Sequence, residues 1–325
     1  MANPGQVLYL SRQDVEAVGL PMADIIDALE TMFREKGEGR VEMPPKPGIH
    51  PRPDAFIHAM PAYIPSMEAA GMKWVSGFPG NPARGLPYIS GLLILNDPDT
   101  GVPLCVMDAT WITAKRTGAA TAVAARYLAR PESATVGILA CGVQGRSNLE
   151  ALSEVFRIER VKAYDIDPEA ARRYAREMAE GLGLEVEVVD RPEAAVRGMD
   201  LVVTSGPILK DPRPTIPAGW LAEGAFASAV DFDSYWTGEA LRQIDLLVTD
   251  DAAQMAYYRE VGYFRDTPEP HAELGDIVAG RRPGRTSPRQ RTLAMNLGLA
   301  LDDVATAPLV YRRALEAGIG TWLPL

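Results

Sequence analysis

Between residues 22 and 36, apolar side chains return every three or four positions. Ile25, Leu29, Met32 and Phe33 share one face, while Asp24, Asp27, Glu30 and Arg34 point away, which predicts an amphipathic helix. Pro21 suits its start and Gly37 its end. Upstream, Ser11-Arg-Gln-Asp14 resembles a capping box with Asp in place of Glu. From about 55 to 107 the rhythm shortens. AFIHAMPAYI, GMKWVSGF, ISGLLILN and VPLCVM are short apolar runs bounded by turn residues, with Asp97-Pro-Asp-Thr-Gly101 as a hairpin loop between the last two. Four such strands with short connections predict an antiparallel sheet.

An alanine-rich helix follows over Ile112–Ala129. From about 134 to 250 strands and helices alternate: strands at 134–139, 161–165, 185–189, 200–204, 224–230 and 245–249, helices at 144–157 and 168–181. That alternation predicts a parallel, doubly wound sheet. After about 252 the pattern returns to helices, with Gly280–Gly284 as a loop and a last helix at about 301–317 that packs back on the first part. The expected architecture is α/β: a Rossmann-type doubly wound parallel sheet over 116–301, plus an α+β domain built from both chain ends, 1–115 with 302–325.

Composition narrows the function classes. The 325 residues are 47% hydrophobic and 23% charged, as in a globular protein with a full core. A net charge of −10 argues against nucleic acid as a partner. The start, MANPGQVLYLSRQD, lacks a basic segment followed by an apolar core, and no apolar run approaches the roughly 20 residues of a membrane helix. A cytoplasmic protein without a membrane partner is the expectation. Cys105 and Cys141 show no paired spacing, and His50, His58 and His271 show no i, i+4 pairing, so no metal site is expected.

The first chemical signal is GILACGVQG at 137–145. It follows an apolar run and precedes a helical one, as a dinucleotide-binding turn does. The first glycine of such a turn makes the bend, the second lets the backbone approach the diphosphate, and the third lets helix and strand pack. Here the three positions hold Ala140, Gly142 and Gly145; alanine is tolerable at the first if its φ is negative. The helix start at Val143 offers N–H groups to phosphate. Asp165, ending the next strand 23 residues after Gly142, suits the ribose hydroxyls. Asp167 adds negative charge and Ile166 follows Asp165 in place of an arginine, so a 2′-phosphate would be repelled, which favours NAD over NADP. The competing reading is a structural strand–turn–helix with an incidental acid.

The second signal is charge in apolar settings. Strand alternation puts Lys73 on one face with Ala69, Gly71 and Val75; it is either a buried ammonium facing an anion or an edge-strand lysine facing solvent. Arg116 shares a helix face with Ala119, Ala120 and Val123, and needs either a substrate carboxylate or an internal salt bridge. Asp231 and Asp233 follow one strand and Asp250-Asp251 another, each placed for a general base; Thr204-Ser205 ends a third and could bond a cofactor.

Four stretches, GMKWVSGFPGN (71–81), ITAKRTGAATAVAARYLA (112–129), GVQGRSNLEAL (142–152) and the segment 284–321, together resemble the ornithine cyclodeaminase/mu-crystallin family over nearly the whole chain. The resemblance implies an NAD(P)-binding Rossmann domain joined to a dimerisation domain, and hence a homodimer. It places Lys73 and Arg116 at the substrate and gives Asp233 the catalytic role, with Asp231 where the family more often has glycine. A further carboxylate-binding arginine is expected near Pro44-Pro45, where this chain has Lys46, which lacks the arginine fork. It implies cofactor contacts from Tyr88, Thr117, Gly142, Val143, Gln144, Asp165, Ile166, Thr204, Ser205, Asn296 and Leu297, the last two standing where a Ser-Val pair often borders the nicotinamide. Between Met60 and Lys73 the only glutamate is Glu68, in an expected loop, which argues against a distal ornithine amine as ligand.

The activity implied is oxidoreduction at the Cα–N bond of a small amino acid or its imine. Lys46, Lys73 and Arg116 would hold the carboxylate, and Asp233 would take the amine proton or activate water. An amino acid dehydrogenase, a ketimine reductase and an ornithine cyclodeaminase-type lyase all fit one such site, and a non-catalytic mu-crystallin-like ligand carrier is the reading from another class.

Overall fold

The structure, a computed structural model, describes residues 5–325. Part of the opening stretch read for a targeting segment, residues 1–4, lies outside the described residues. The chain forms two compact units: residues through Arg116 together with Leu299–Leu325, and Thr117–Gly298.

The first unit holds a seven-stranded sheet. Its strands are β1 (Gln6–Leu10), β2 (Gly48–Ile49), β3 (Phe56–Ile64), β4 (Ala69–Gly77), β5 (Ile89–Asn96), β6 (Pro103–Asp108) and a C-terminal strand, Thr321–Pro324. The order is C-terminal strand, β1, β6, β5, β4, β3, β2. β3 to β6 form the expected antiparallel meander. β1 runs parallel to β6, so the sheet as a whole is mixed. Leu8, Leu10, Lys73, Val75, Leu93, Leu95, Cys105 and Met107 point to the buried face. The helix Ala300–Ala317 lies on β3, β4 and β5 and packs against the helix Met22–Gly37. Ser11 closes a true capping box with Asp14. The other sheet face is uncovered: Trp74 is 46% and Leu92, directly opposite it, 43% exposed.

The second unit holds an eight-stranded sheet in which every pairing is parallel. Its strands are β7 (Thr135–Leu139), β8 (Arg160–Tyr164), β9 (Val186–Val188), β10 (Leu201–Thr204), β11 (Phe226–Ala229), β12 (Leu246–Thr249), β13 (Ala272–Glu273) and β14 (Thr292–Met295). They stand in the order β13, β12, β14, β11, β10, β7, β8, β9. The expectation of helices alone after residue 252 is corrected here, because β14 sits between β12 and β11. All four of its residues are buried, so Thr-Leu-Ala-Met carries no alternation from which a strand could be read.

Candidate active site

In the second unit the carboxyl ends of the strands carry most of the expected cofactor residues. Past β7 the chain bends at Ala140, whose φ is +73°. The condition of a negative φ is thus not met: alanine occupies the left-handed region that glycine normally fills, at a cost of about 1–2 kcal/mol. Hydrogen bonds to Ala140 and to the two residues after it hold the bend. Ala140 N–H donates to the Tyr164 carbonyl at 2.9 Å, and Ser205 Oγ donates to the Ala140 carbonyl at 3.0 Å. Arg146 reaches back to the Cys141 and Gly142 carbonyls. A Cβ on Gly145 would stand 2.7 Å from the Ala140 oxygen, which is why that position needs glycine.

Gly142 is different. A Cβ there would meet nothing within 4 Å, so the interior of the fold does not require glycine at this position. Gly142 is also the N-cap of the helix Val143–Val155, and no side chain caps it. The first-turn N–H groups of that helix, next to Val143 and Gln144, thus keep their capacity for an anion. Asp165 accepts from Cys141 N–H at 2.7 Å through one oxygen and from Asp167 N–H at 2.9 Å through the other. Each oxygen retains a lone pair for a hydroxyl. Val143 and Ile166 are exposed beside the turn, at 63% and 87%. Open space at Gly142, an uncapped helix start and an anchored acid fit a dinucleotide.

The two candidate bases after β11 separate clearly. Asp231 is fully buried, and Thr204 Oγ1 donates to its Oδ1 at 2.5 Å while Trp236 Nε1 donates to Thr204 at 3.2 Å. Thr204 therefore serves the interior of the unit. Asp231 Oδ2 has no partner among the described residues, and burial pushes this carboxyl up to about 7 against the Thr204 hydrogen bond. Phe232 between the acids has φ +62° and is held by Tyr258 and Phe264 at ring distances of 5.0 and 4.8 Å. That bend sends Asp233 elsewhere: it is 8% exposed, and its Oδ2 accepts from Thr267 Oγ1 at 2.9 Å. Burial raises the Asp233 carboxyl above its ordinary value, opposed by the Thr267 bond. The rival acids have local duties. Asp250 accepts from Gly298 N–H at 2.8 Å, and Asp251 caps the helix Ala252–Glu260.

Past β14, Asn296 is 7% exposed, and neither its Oδ1 nor its Nδ2 has a hydrogen-bond partner among the described residues. Leaving such groups unmatched costs about 1–3 kcal/mol each. Leu297 beside it is buried.

In the first unit, β4 is an interior strand and Lys73 is 1% exposed, so the reading of a solvent-facing edge lysine is excluded. Lys73 Nζ lies 2.6 Å from Asp303 Oδ2 and donates to Thr113 Oγ1 at 3.3 Å. Arg116 donates through Nε to Asp303 Oδ1 and through Nη1 to Asp302 Oδ2, both at 3.1 Å. Both expected substrate cations thus meet on one carboxylate, and the internal salt bridge weighed for Arg116 is present. Burial first, then the Arg116 charge, brings the Lys73 ammonium down to about 8, with Asp303 acting the other way and Lys46 adding to the depression. Tyr88 lies just before β5, half-buried, its carbonyl accepting from Phe78 N–H. Thr117 opens the second unit. Glu68 is exposed in the turn between β3 and β4.

The sequence reading missed Asp302, Asp303 and Thr113. A signal existed: Leu299-Ala-Leu-Asp-Asp-Val-Ala305 sets two acids into an otherwise apolar helix start, and buried acids need cations.

The profile of the ornithine cyclodeaminase/mu-crystallin family matches residues 7–318. The chain belongs to that family. It is 37% identical to alanine dehydrogenase of Archaeoglobus fulgidus, over 97% of this chain and 98% of that protein. Among solved structures it resembles Delta(1)-pyrroline-2-carboxylate reductase of Thermococcus litoralis in complex with NADH and L-proline. That match has a TM-score of 0.88 and 37% identity, and covers 97% of this chain and 99% of the other. An archaeal alanine dehydrogenase dimer with bound NAD gives the same TM-score and identity, over 98% and 99% of the two chains. The family member therefore has the doubly wound dinucleotide-binding fold that the alternation of strands and helices implies.

Proposed function

We propose that this chain is an NAD-dependent oxidoreductase that works at the Cα–N bond of a small amino acid or its cyclic imine, as an amino acid dehydrogenase or a ketimine reductase. The observation that carries the reading is a buried cation pair: Lys73 and Arg116 converge on the Asp303 carboxylate, and Lys46 adds positive potential at Lys73. A site of that polarity suits a substrate carboxylate.

Gly142, Val143 and Gln144 at the helix start would hold the diphosphate, Asp165 the ribose hydroxyls, and Ser205, Asn296 and Leu297 the nicotinamide half. Bound NAD would accept the hydride of Cα, oxidising amine to imine, or return it. Lys73 and Arg116, together with Lys46, would fix the substrate carboxylate and so the direction of Cα. Asp233, its carboxyl raised above the ordinary value by burial, would accept the amine proton or deprotonate the water that attacks the imine carbon. No acidic group stands on β3 or β4 for a distal amine, and Glu68 in the turn is exposed, which favours small uncharged side chains over ornithine.

The test is NADH oxidation in the presence of pyruvate with ammonia, and of pyrroline-2-carboxylate. Turnover with one of them is expected, with a large loss in Asp233→Asn at little change in NADH affinity. NADH bound but oxidised by neither substrate class would move the reading to a ligand carrier. A tighter Kd for NADPH than for NADH would remove Asp165 from cofactor choice.

A further inference from the structure

We infer that Asn296 is the specificity-determining residue for the nicotinamide ring, pairing through both ends of its side-chain amide with the ring's carboxamide; this rests on the NAD reading above. The sheet order supplies the direction. The bend after β7 and the acid after β8 mark where diphosphate and adenosine ribose would lie. A dinucleotide crossing the carboxyl edge of a doubly wound sheet then lays its other half over the strands on the far side of β7. Those strands are β10, β11 and β14, and Asn296 is the first residue past β14.

The other strand-end side chains on that side each make at least one hydrogen bond within the unit, although Asp231 keeps one unmatched oxygen. Ser205 donates to the Ala140 carbonyl, Thr204 donates to Asp231, and Asp250 accepts from Gly298. Asn296 has both polar atoms buried and unmatched among the described residues. Its ligand must present an acceptor and a donor side by side. A carboxylate answers only the N–H group and repels the oxygen. A primary carboxamide answers both, and the pairing survives turning either amide end for end.

The experiment compares dissociation constants, measured without substrate, for NAD, nicotinic acid adenine dinucleotide and 3-acetylpyridine adenine dinucleotide. The second replaces the carboxamide by a carboxylate, and the third keeps the carbonyl but loses the N–H donors. The parent protein is expected to favour NAD over both by about tenfold or more, because a mismatched ligand leaves buried polar groups unpaired. In Asn296→Leu the three constants should come within about twofold to threefold of each other. Asn296→Asp keeps an acceptor for the carboxamide N–H and repels both analogues, so it should widen the preference; it also serves if the leucine variant does not fold. Unchanged ratios in either folded variant would overturn the inference while leaving NAD binding intact. Failure of the parent to bind NAD at all would overturn the functional reading beneath it.

Discussion

Lys73 Nζ and Asp303 Oδ2 stand 2.6 Å apart in the interior of the first unit, one 1% and the other 0% exposed on the side chain. The same carboxylate also takes Arg116. Removing its charge with Asp303→Asn leaves two buried cations with one carboxylate, and a loss of about 3–5 kcal/mol is expected at neutral pH. The deficit should depend on pH. The folded pKa of Lys73 lies below its unfolded value, at about 8 against 10.5. The unfolded chain therefore binds more protons between those values, and this group makes stability rise with pH there. Asp303 raises the Lys73 value, so in the variant the gain begins at lower pH. Urea unfolding at pH 7 and 9 should show the deficit shrinking; an equal deficit at both would place the loss in packing rather than charge.

Asp231 offers the opposite sign. Its folded pKa is raised to about 7 from 3.8, so the folded state binds the extra proton between those values. The stability this group contributes is complete below about 4 and is lost as pH rises through about 7. Asn at this position mimics the neutral acid without titrating. Asp231→Asn is expected to exceed the parent by only about 1 kcal/mol near pH 4.5 and by up to about 4 kcal/mol at pH 8. A variant no more stable than its parent at pH 8 would mean that the carboxylate is compensated in the fold.

The turn after β7 separates fold from binding at two neighbouring positions. A methyl on Gly142 meets no atom within 4 Å, whereas Ala140 already sits at a φ of +73°. Gly142→Ala should cost well under about 1 kcal/mol of stability, chiefly through the cap. It should nonetheless weaken NADH binding about tenfold or more, since the methyl would fill the space a diphosphate approaches. Ala140→Gly relieves the left-handed alanine, and the gain is partly offset by a freer unfolded chain, for a net rise of up to about 1 kcal/mol. Thermal unfolding and NADH titration of the two variants read both effects. Equal NADH affinity in Gly142→Ala would remove this turn as a phosphate site.

How much of this was legible follows the physics of each signal. The helix Met22–Gly37 and the meander β3 to β6 could be read because one face of each is buried and the other is not, so period and alternation survive in the residue order. β14 could not, because four buried residues on a two-sided sheet carry no alternation. Lys73 stood out as a charge on a strand face of small residues, yet its partner comes from Asp303, 230 positions further on, and no local pattern encodes that pairing. The left-handed Ala140 was also hidden: nothing in the identity of alanine announces a positive φ, and the contacts that enforce it come from Tyr164 and Ser205. Asn296 entered the reading only through resemblance; its unmatched amide is a property of the folded neighbourhood.

The uncovered sheet face bears on assembly. Trp74 and Leu92 are paired across β4 and β5, and Met72 with Ile94 and Ile94 with Val106 continue the same face. Tyr9, opposite Val106, extends it onto β1. Tyr9, Trp74 and Leu92 are exposed and Met72, Ile94 and Val106 half-buried, and an apolar sheet face of this kind suits contact with a second chain. A homologous alanine dehydrogenase of this family is a dimer, and the same state is proposed here. In a self-complementary dimer each substitution acts on both copies. Trp74→Glu would set a carboxylate from each chain into the apolar contact, at a cost of a few kcal/mol per buried charge, while the monomer gains a solvated glutamate at a position already 46% exposed. Light scattering behind size exclusion should find a dimer for the parent and a folded monomer for the variant, with an unchanged circular dichroism spectrum. A dimer that survives Trp74→Glu would assign the contact to another surface.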